Sequence, residues 1–305
     1  MLVLTALLLK GAKLLKFVKL LKVASPAVLF LSMSISVIAY AFWMGPWLAI
    51  VFVVLLLIHE MGHVVAMRLK GFDTPTPVFI PFLGAAIFAP KFKDRDSEAY
   101  VGYGGPLLGT IGSIAAFGLY FTIPKDSTWS PVMLVGSYLG VFLNLFNLLP
   151  ISPLDGGRVT QAAGRWFKYV GLIALALFTA YFRQPVILYV WILVLFDLDM
   201  VPVRLRAVLI TVLWITMATL MYLGYGDQPV FVNIFDCVIT LLFVFGSIAR
   251  AVTLDEDPEK DTRPELTGAQ RVRWFIVYAA LIGVLFVTIL VQTPHLNEIA
   301  ELARQ

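Results

Sequence analysis

Apolar residues run along this chain in blocks long enough to cross a bilayer, broken by short polar stretches. The blocks cover about residues 25–43, 46–67, 103–123, 131–150, 167–182, 185–202, 207–224, 231–249 and 272–292. Each approaches the ~20 apolar residues that a hydrocarbon core about 30 Å thick requires of a helix. The pattern predicts an all-α polytopic transmembrane protein of about nine helices. The fifth and sixth blocks are short and separated only around Arg183, Gln184 and Pro185, which predicts a tight helical hairpin there.

One linker departs from the pattern. Between the second and third blocks, prolines at 75 and 77 precede the apolar run Val78 to Phe88, and a charged run follows from Lys91 to Glu98. The apolar run is too short to cross. Its proline, glycine and β-branched residues favour an extended hairpin dipping back into the bilayer beside protein that can satisfy its backbone. The alternative is a hydrophobic plug packed on the helices.

Composition agrees with the membrane reading. Apolar residues make up 60% of the chain, charged residues 14%, and the mean hydropathy is +0.90; soluble domains are about half apolar and a quarter charged. The basic pI of about 9.1 reflects loop lysines and arginines, not nucleic-acid binding. The single cysteine, Cys237, excludes an intrachain disulfide. Residues 1–23 carry Lys10, Lys13, Lys16, Lys19 and Lys22 within their apolar stretch, unlike a secretory signal with an uncharged core. A basic helix lying on an anionic leaflet is the expectation. With the N-terminus in the cytoplasm and nine alternating spans, only Lys125, Arg183 and Arg304 of the 23 basic residues fall outside. That is the asymmetry of the positive-inside rule.

Against this background His59-Glu60-Met61-Gly62-His63 stands out, because Leu48 to Ile58 ahead of it holds no charge. Histidines four apart share one helix face and can reach a single Zn²⁺, with the glutamate beside them placed to move protons. Burying three ionisable groups costs several kcal/mol unless a metal or partner compensates. The bland alternative is a set of polar residues snorkelling near a helix end. A catalytic zinc usually takes a third protein ligand. Asp155 is the best candidate: Pro150 and Pro153 end the fourth helix, and Gly156-Gly157 permit a turn that aims a carboxylate back at the bundle. An ordinary Asp-Gly surface turn is the alternative, and Asp197 and Asp199 compete as ligands. Asp236 falls near the outer face and His295 beyond the last span. Spans two and four run in the same direction, bringing His63 and Asp155 to one face. His59 then lies roughly 14 Å below the boundary at Arg68, nearer the cytoplasm.

These motifs resemble the site-2 protease family of intramembrane zinc metalloproteases. The likeness rests on His59 to His63 after an apolar run, on Asn147 to Gly157, and on Glu98-Ala99 followed by Gly104-Gly105-Pro106-Leu107-Leu108-Gly109. It brackets about residues 46–160 and implies a three-helix metalloprotease core with a membrane re-entrant β-hairpin loop. It also implies one Zn²⁺ per chain on His59, His63 and Asp155, with Glu60 as catalytic base. Asn147 would be an amide contacting substrate or transition state, although a structural inter-helix amide reads equally from the residues. The loop around Phe79, Ile80, Phe82, Leu83 and Gly84 would pair with an unwound substrate. Gly109 departs from the pattern, since many members carry asparagine there.

The expected activity is hydrolysis of peptide bonds within or near transmembrane segments, as in regulated intramembrane proteolysis. The expected partners are a transmembrane protein substrate, the lipid bilayer and an adaptor or regulatory membrane protein, with no nucleic acid. The division is a basic interfacial segment (1–24), a catalytic core (25–160), additional helices (161–292) and an exterior tail (293–305), in a prokaryotic plasma membrane. The rival is a non-proteolytic zinc-binding membrane protein, a transporter or an inactive scaffold. A zinc protease of another membrane family would take a glutamate on a later helix as third ligand; Glu256, Glu259 and Glu265 lie in a hydrophilic loop, which counts against it.

Overall fold

The computed structural model describes residues 26–74, 76–81, 84–86, 92–150, 154–163 and 263–302. Its elements are α1 (Pro26–Met44), α2 (Pro46–Leu69), β1 (Val78–Ile80), β2 (Gly84–Ala86), α3 (Arg95–Thr122), α4 (Trp129–Asn147), α5 (Asp155–Ala163) and α6 (Gly268–Leu302). Five of them, α1 to α4 and α6, are long and apolar enough to cross a membrane. The protein is an integral multi-pass membrane protein. The expected blocks between 167 and 249, the basic segment 1–24, and Asp197, Asp199 and Asp236 lie outside the described residues. Contacts divide the chain into two units, residues 1–148 with 265–305 and residues 149–264; the described part of the second is essentially α5.

Local signals explain where the helices begin. Pro26 and Pro46 open α1 and α2, where a missing N–H costs nothing and the fixed φ suits a helix. Gly45 alone separates the two helices at φ 83°, a left-handed conformation that glycine adopts without strain. The third helix starts eight residues earlier than the apolar block. Asp94 caps it by accepting from the Ser97 N–H at 2.7 Å, and Asp96 and Glu98 stand in its first turn near the positive end of the helix dipole. The last helix likewise begins before its apolar block. Thr267 and Gln270 form a reciprocal cap, with the Thr267 N–H donating to Gln270 Oε1 at 2.9 Å and the Gln270 N–H donating to Thr267 Oγ1 at 3.3 Å. It also continues through Pro294 to Leu302, so much of the expected tail is helical.

Packing in the first unit is built on small residues. α2 meets α3 where Gly62 faces Gly104: a Cβ on Gly62 would come 2.2 Å from the Gly104 carbonyl oxygen. Such approaches bring helix backbones together in lipid, where apolar side chains gain nothing by leaving their surroundings. Polarity is distributed to match. His59, Glu60, Ser113, Ser137, Asn144 and Gln292 are buried, while Phe30, Phe42, Trp43, Phe286 and Leu290 are exposed. Gln292 of α6 donates to Ser137 Oγ of α4 at 2.6 Å, and Ser137 Oγ donates to the Ser113 carbonyl of α3 at 2.7 Å.

The run after α2 forms a short antiparallel hairpin with Val78 opposite Ala86, Phe79 opposite Ala85 and Ile80 opposite Gly84. The plug alternative describes part of it too. Phe79 is buried in a cluster with Tyr40, Ala49, Val53 and Leu56, while Ile80 is exposed.

Candidate active site

α2 carries His59, Glu60 and His63 on its buried side. Apolar residues from Leu48 to Ile58 drive this helix into the bundle, and the four-residue spacing turns both imidazoles to one face. Their ring centroids lie 5.0 Å apart, nearly perpendicular at 79°. His63 Nδ1 is 2.7 Å from the Val101 carbonyl oxygen of α3. A carbonyl can only accept, so Nδ1 carries the proton and the lone pair is on Nε2. Gly105 makes room for this ring, since a Cβ there would fall 2.2 Å from Nε2.

The carboxylate arrives differently from the sequence expectation. α4 ends at Asn147, before Pro150, and Gly156-Gly157 form no hairpin turn. They lie in the first turn of α5, which Asp155 opens. An acidic residue in that position is favoured by the helix dipole. The ligand-type atoms of His59, His63 and Asp155 lie within 4.8 Å of one another, and all three side chains are buried. Two imidazole nitrogens and a carboxylate oxygen are a donor set suited to zinc, with a fourth position for water. The group can therefore hold a metal.

Of the remaining candidates, Asn147 is half-buried at the end of α4, its Nδ2 donating to the Leu143 carbonyl at 3.0 Å. Phe82 and Leu83 lie outside the described residues, and Gly84 begins β2. His295 packs tilted or edge-on against Phe117, Tyr120 and Phe121, and the described metal-type group does not include it. Sequence reasoning missed Asn144, one turn before Asn147 and almost fully buried. Its Oδ1 is 2.8 Å from His59 Nδ1. The signal available was an amide between Leu143 and Leu145 inside an apolar block, a costly placement unless it is paired.

Comparison with known proteins meets this geometry at α2. Residues 47–126, from α2 through the hairpin and α3, match the model of peptidase family M50. This match supports the resemblance to the site-2 protease family. A Mycobacterium tuberculosis protein provisionally named zinc metalloprotease Rip3 is 30% identical over 128 residues, 41% of this chain and 33% of that one. Zinc metalloprotease MJ0392 of Methanocaldococcus jannaschii is 29% identical over 117 residues, 37% of this chain and 34% of its own. The matches span about a third of the length of these curated relatives. A solved structure titled Site-2 Protease from Methanocaldococcus jannaschii overlays with a TM-score of 0.40 at 18% identity, over 76% of this chain and 91% of that one, a likeness too loose to argue from. The matched stretch thus includes His59, Glu60 and His63 but ends before Asn147 and Asp155.

Proposed function

We propose that this chain is a zinc-dependent intramembrane endopeptidase that hydrolyses peptide bonds within or beside transmembrane segments of membrane proteins. The observation that carries the reading is the buried His59–His63–Asp155 group beside Glu60 in a membrane-spanning bundle. His59, His63 and Asp155 would hold one Zn²⁺, which in such a site polarises a peptide carbonyl and lowers the pKa of water. Glu60 takes the proton from the attacking water and hands it to the leaving nitrogen as the C–N bond breaks. Asn147 has a second amide N–H beyond the one given to Leu143, and offers it to the developing oxyanion. The buried surroundings strengthen these interactions and exclude competing water.

A helical substrate hides its peptide bonds in its own hydrogen bonds, so it must unwind before cleavage. The hairpin dips into the bilayer and replaces the lost bonds by strand addition, with Gly84 to Ala86 of β2 beside the paired segment. With the N-terminus inside, the site lies nearer the cytoplasmic face, and an adaptor or regulatory membrane protein selects substrates.

One experiment separates this from a non-proteolytic zinc protein. Glu60→Gln in purified, reconstituted protein should lower cleavage of a transmembrane substrate by on the order of 10²–10⁴, with zinc content unchanged at about one per chain. Asp155→Asn should lower both activity and zinc retention. Near-wild-type turnover in Glu60→Gln would falsify the mechanism, and full zinc occupancy with activity in Asp155→Asn would move the third ligand elsewhere.

A further inference from the structure

We infer that Asn144 is a positioning residue that sets the tautomer and orientation of His59, an inference that rests on the zinc-site reading above. Asn144 Nδ2 lies 2.7 Å from the Gly140 carbonyl oxygen, one turn back on α4. That oxygen only accepts, so the amide face toward it is the NH₂, and Oδ1 is the atom that faces His59 Nδ1 at 2.8 Å. Oδ1 in turn only accepts. The proton of the neutral imidazole is therefore on Nδ1, and the ligand lone pair is on Nε2. A free neutral imidazole prefers the opposite tautomer, with the proton on Nε2, so Asn144 offsets a preference that works against metal binding.

The two histidines are oriented by different means. His63 is anchored by the backbone at Val101, which no side-chain substitution removes. His59 is anchored by a side chain on another helix, 85 residues along the chain. That side chain needs space, and α3 supplies it at Gly109, where a Cβ would come 2.2 Å from Asn144 Oδ1. Hence α2 contributes the ligand, α4 the amide that aims it, and α3 the gap in which the amide sits. The glycine at 109, where the resemblance led one to expect asparagine, is accounted for: the amide in this space comes from α4.

The protein has 3 histidines, so ¹⁵N-histidine labelling of the full chain in detergent gives a resolvable spectrum with His295 as internal reference. In metal-free wild type, His59 should show the Nδ1–H signature. In Asn144→Leu, close in volume but without an acceptor, the His59 signals should move toward the Nε2–H form while His63 and His295 stay in place. Zinc affinity, read by competition with a chelator, should fall about 10–100-fold. Gly109→Ala should reproduce both changes by displacing the amide, and it stands in for Asn144→Leu if that variant fails to fold. Ser137→Ala removes a different buried inter-helix hydrogen bond with no contact to His59 and should leave tautomer and zinc affinity unchanged. Wild-type tautomer and affinity in both Asn144→Leu and Gly109→Ala would overturn the inference. An equal loss in Ser137→Ala would overturn it too, by showing that any loosening of the bundle has the same effect. A wild-type protein that takes up no zinc would sink the metal site itself, a different result from uptake that Asn144 does not influence.

Discussion

Around His63 the chemistry depends on what is missing from the neighbouring residue. Gly105 lies against the imidazole so closely that a Cβ would stand 2.2 Å from Nε2, whereas at Gly62 the obstacle would be the Gly104 backbone. These two positions should respond differently to the same substitution. In Gly105→Ala the ring can swing away, so zinc affinity and turnover should drop sharply with a modest change in melting temperature. In Gly62→Ala a backbone must give way, with an overpacking cost of about 1–3 kcal/mol, so melting temperature should fall along with activity. Thermal melts and zinc titrations of the two variants check this. A Gly105→Ala protein with wild-type zinc affinity would mean that the ring has room the packing does not show.

At the level of elements, the hairpin has two unequal edges. The Phe79 N–H donates at 3.2 Å to Ser32 Oγ on α1, and Ser32 Oγ itself donates to Leu29. That N–H points away from β2, so in antiparallel register Phe79 and Ala85 form a non-hydrogen-bonded pair. The outward N–H of β1 is already engaged. The outward N–H of β2 belongs to Ala85, and β2 packs against α2, the helix of His59 and His63. If substrate adds a strand, it adds to β2. Ala85→Pro should therefore abolish cleavage with melting temperature and zinc content preserved, because it removes an outward donor. Ala86→Pro removes a donor directed at Val78 and should loosen the hairpin itself, with a measurable loss of thermal stability. Normal cleavage by Ala85→Pro would end the strand-addition idea.

For the whole molecule, α6 defines direction. Its first turns reach the start of α3, where Trp274 Nε1 donates to Asp96 Oδ1 at 2.9 Å and Arg273 pairs with the same carboxylate. Near its other end, His295 packs against Phe117, Tyr120 and Phe121 close to the end of α3. The two helices run parallel, so Lys93 and Asn297, both exposed, should sit on opposite sides of a bilayer. In a Cys237→Ser background, Asn297→Cys should react with an impermeant maleimide on intact cells and Lys93→Cys should be protected. The reverse pattern would invert the expected orientation, and equal labelling of both would contradict the parallel arrangement.

What the sequence determined by itself is what depends on near neighbours along the chain. The four spans from α1 to α4, the last span, and the facing of His59 and His63 follow from apolar block length and from the 3.6-residue period, which need no partner. The true starts of α3 and α6 were also locally encoded, in Asp94 with Ser97 and in Thr267 with Gln270. They were misread because polar caps ahead of an apolar block look like loop. Tertiary structure decided the rest: the pairing of Asn144 with His59, the gaps at Gly62, Gly105 and Gly109, the burial of Phe79, and the helical setting of Asp155. Helices that are apolar all round carry little information about which faces meet. In lipid that choice is made by small residues and a few buried polar groups. Asn144 became legible only once three helices, distant in sequence, were brought around one imidazole.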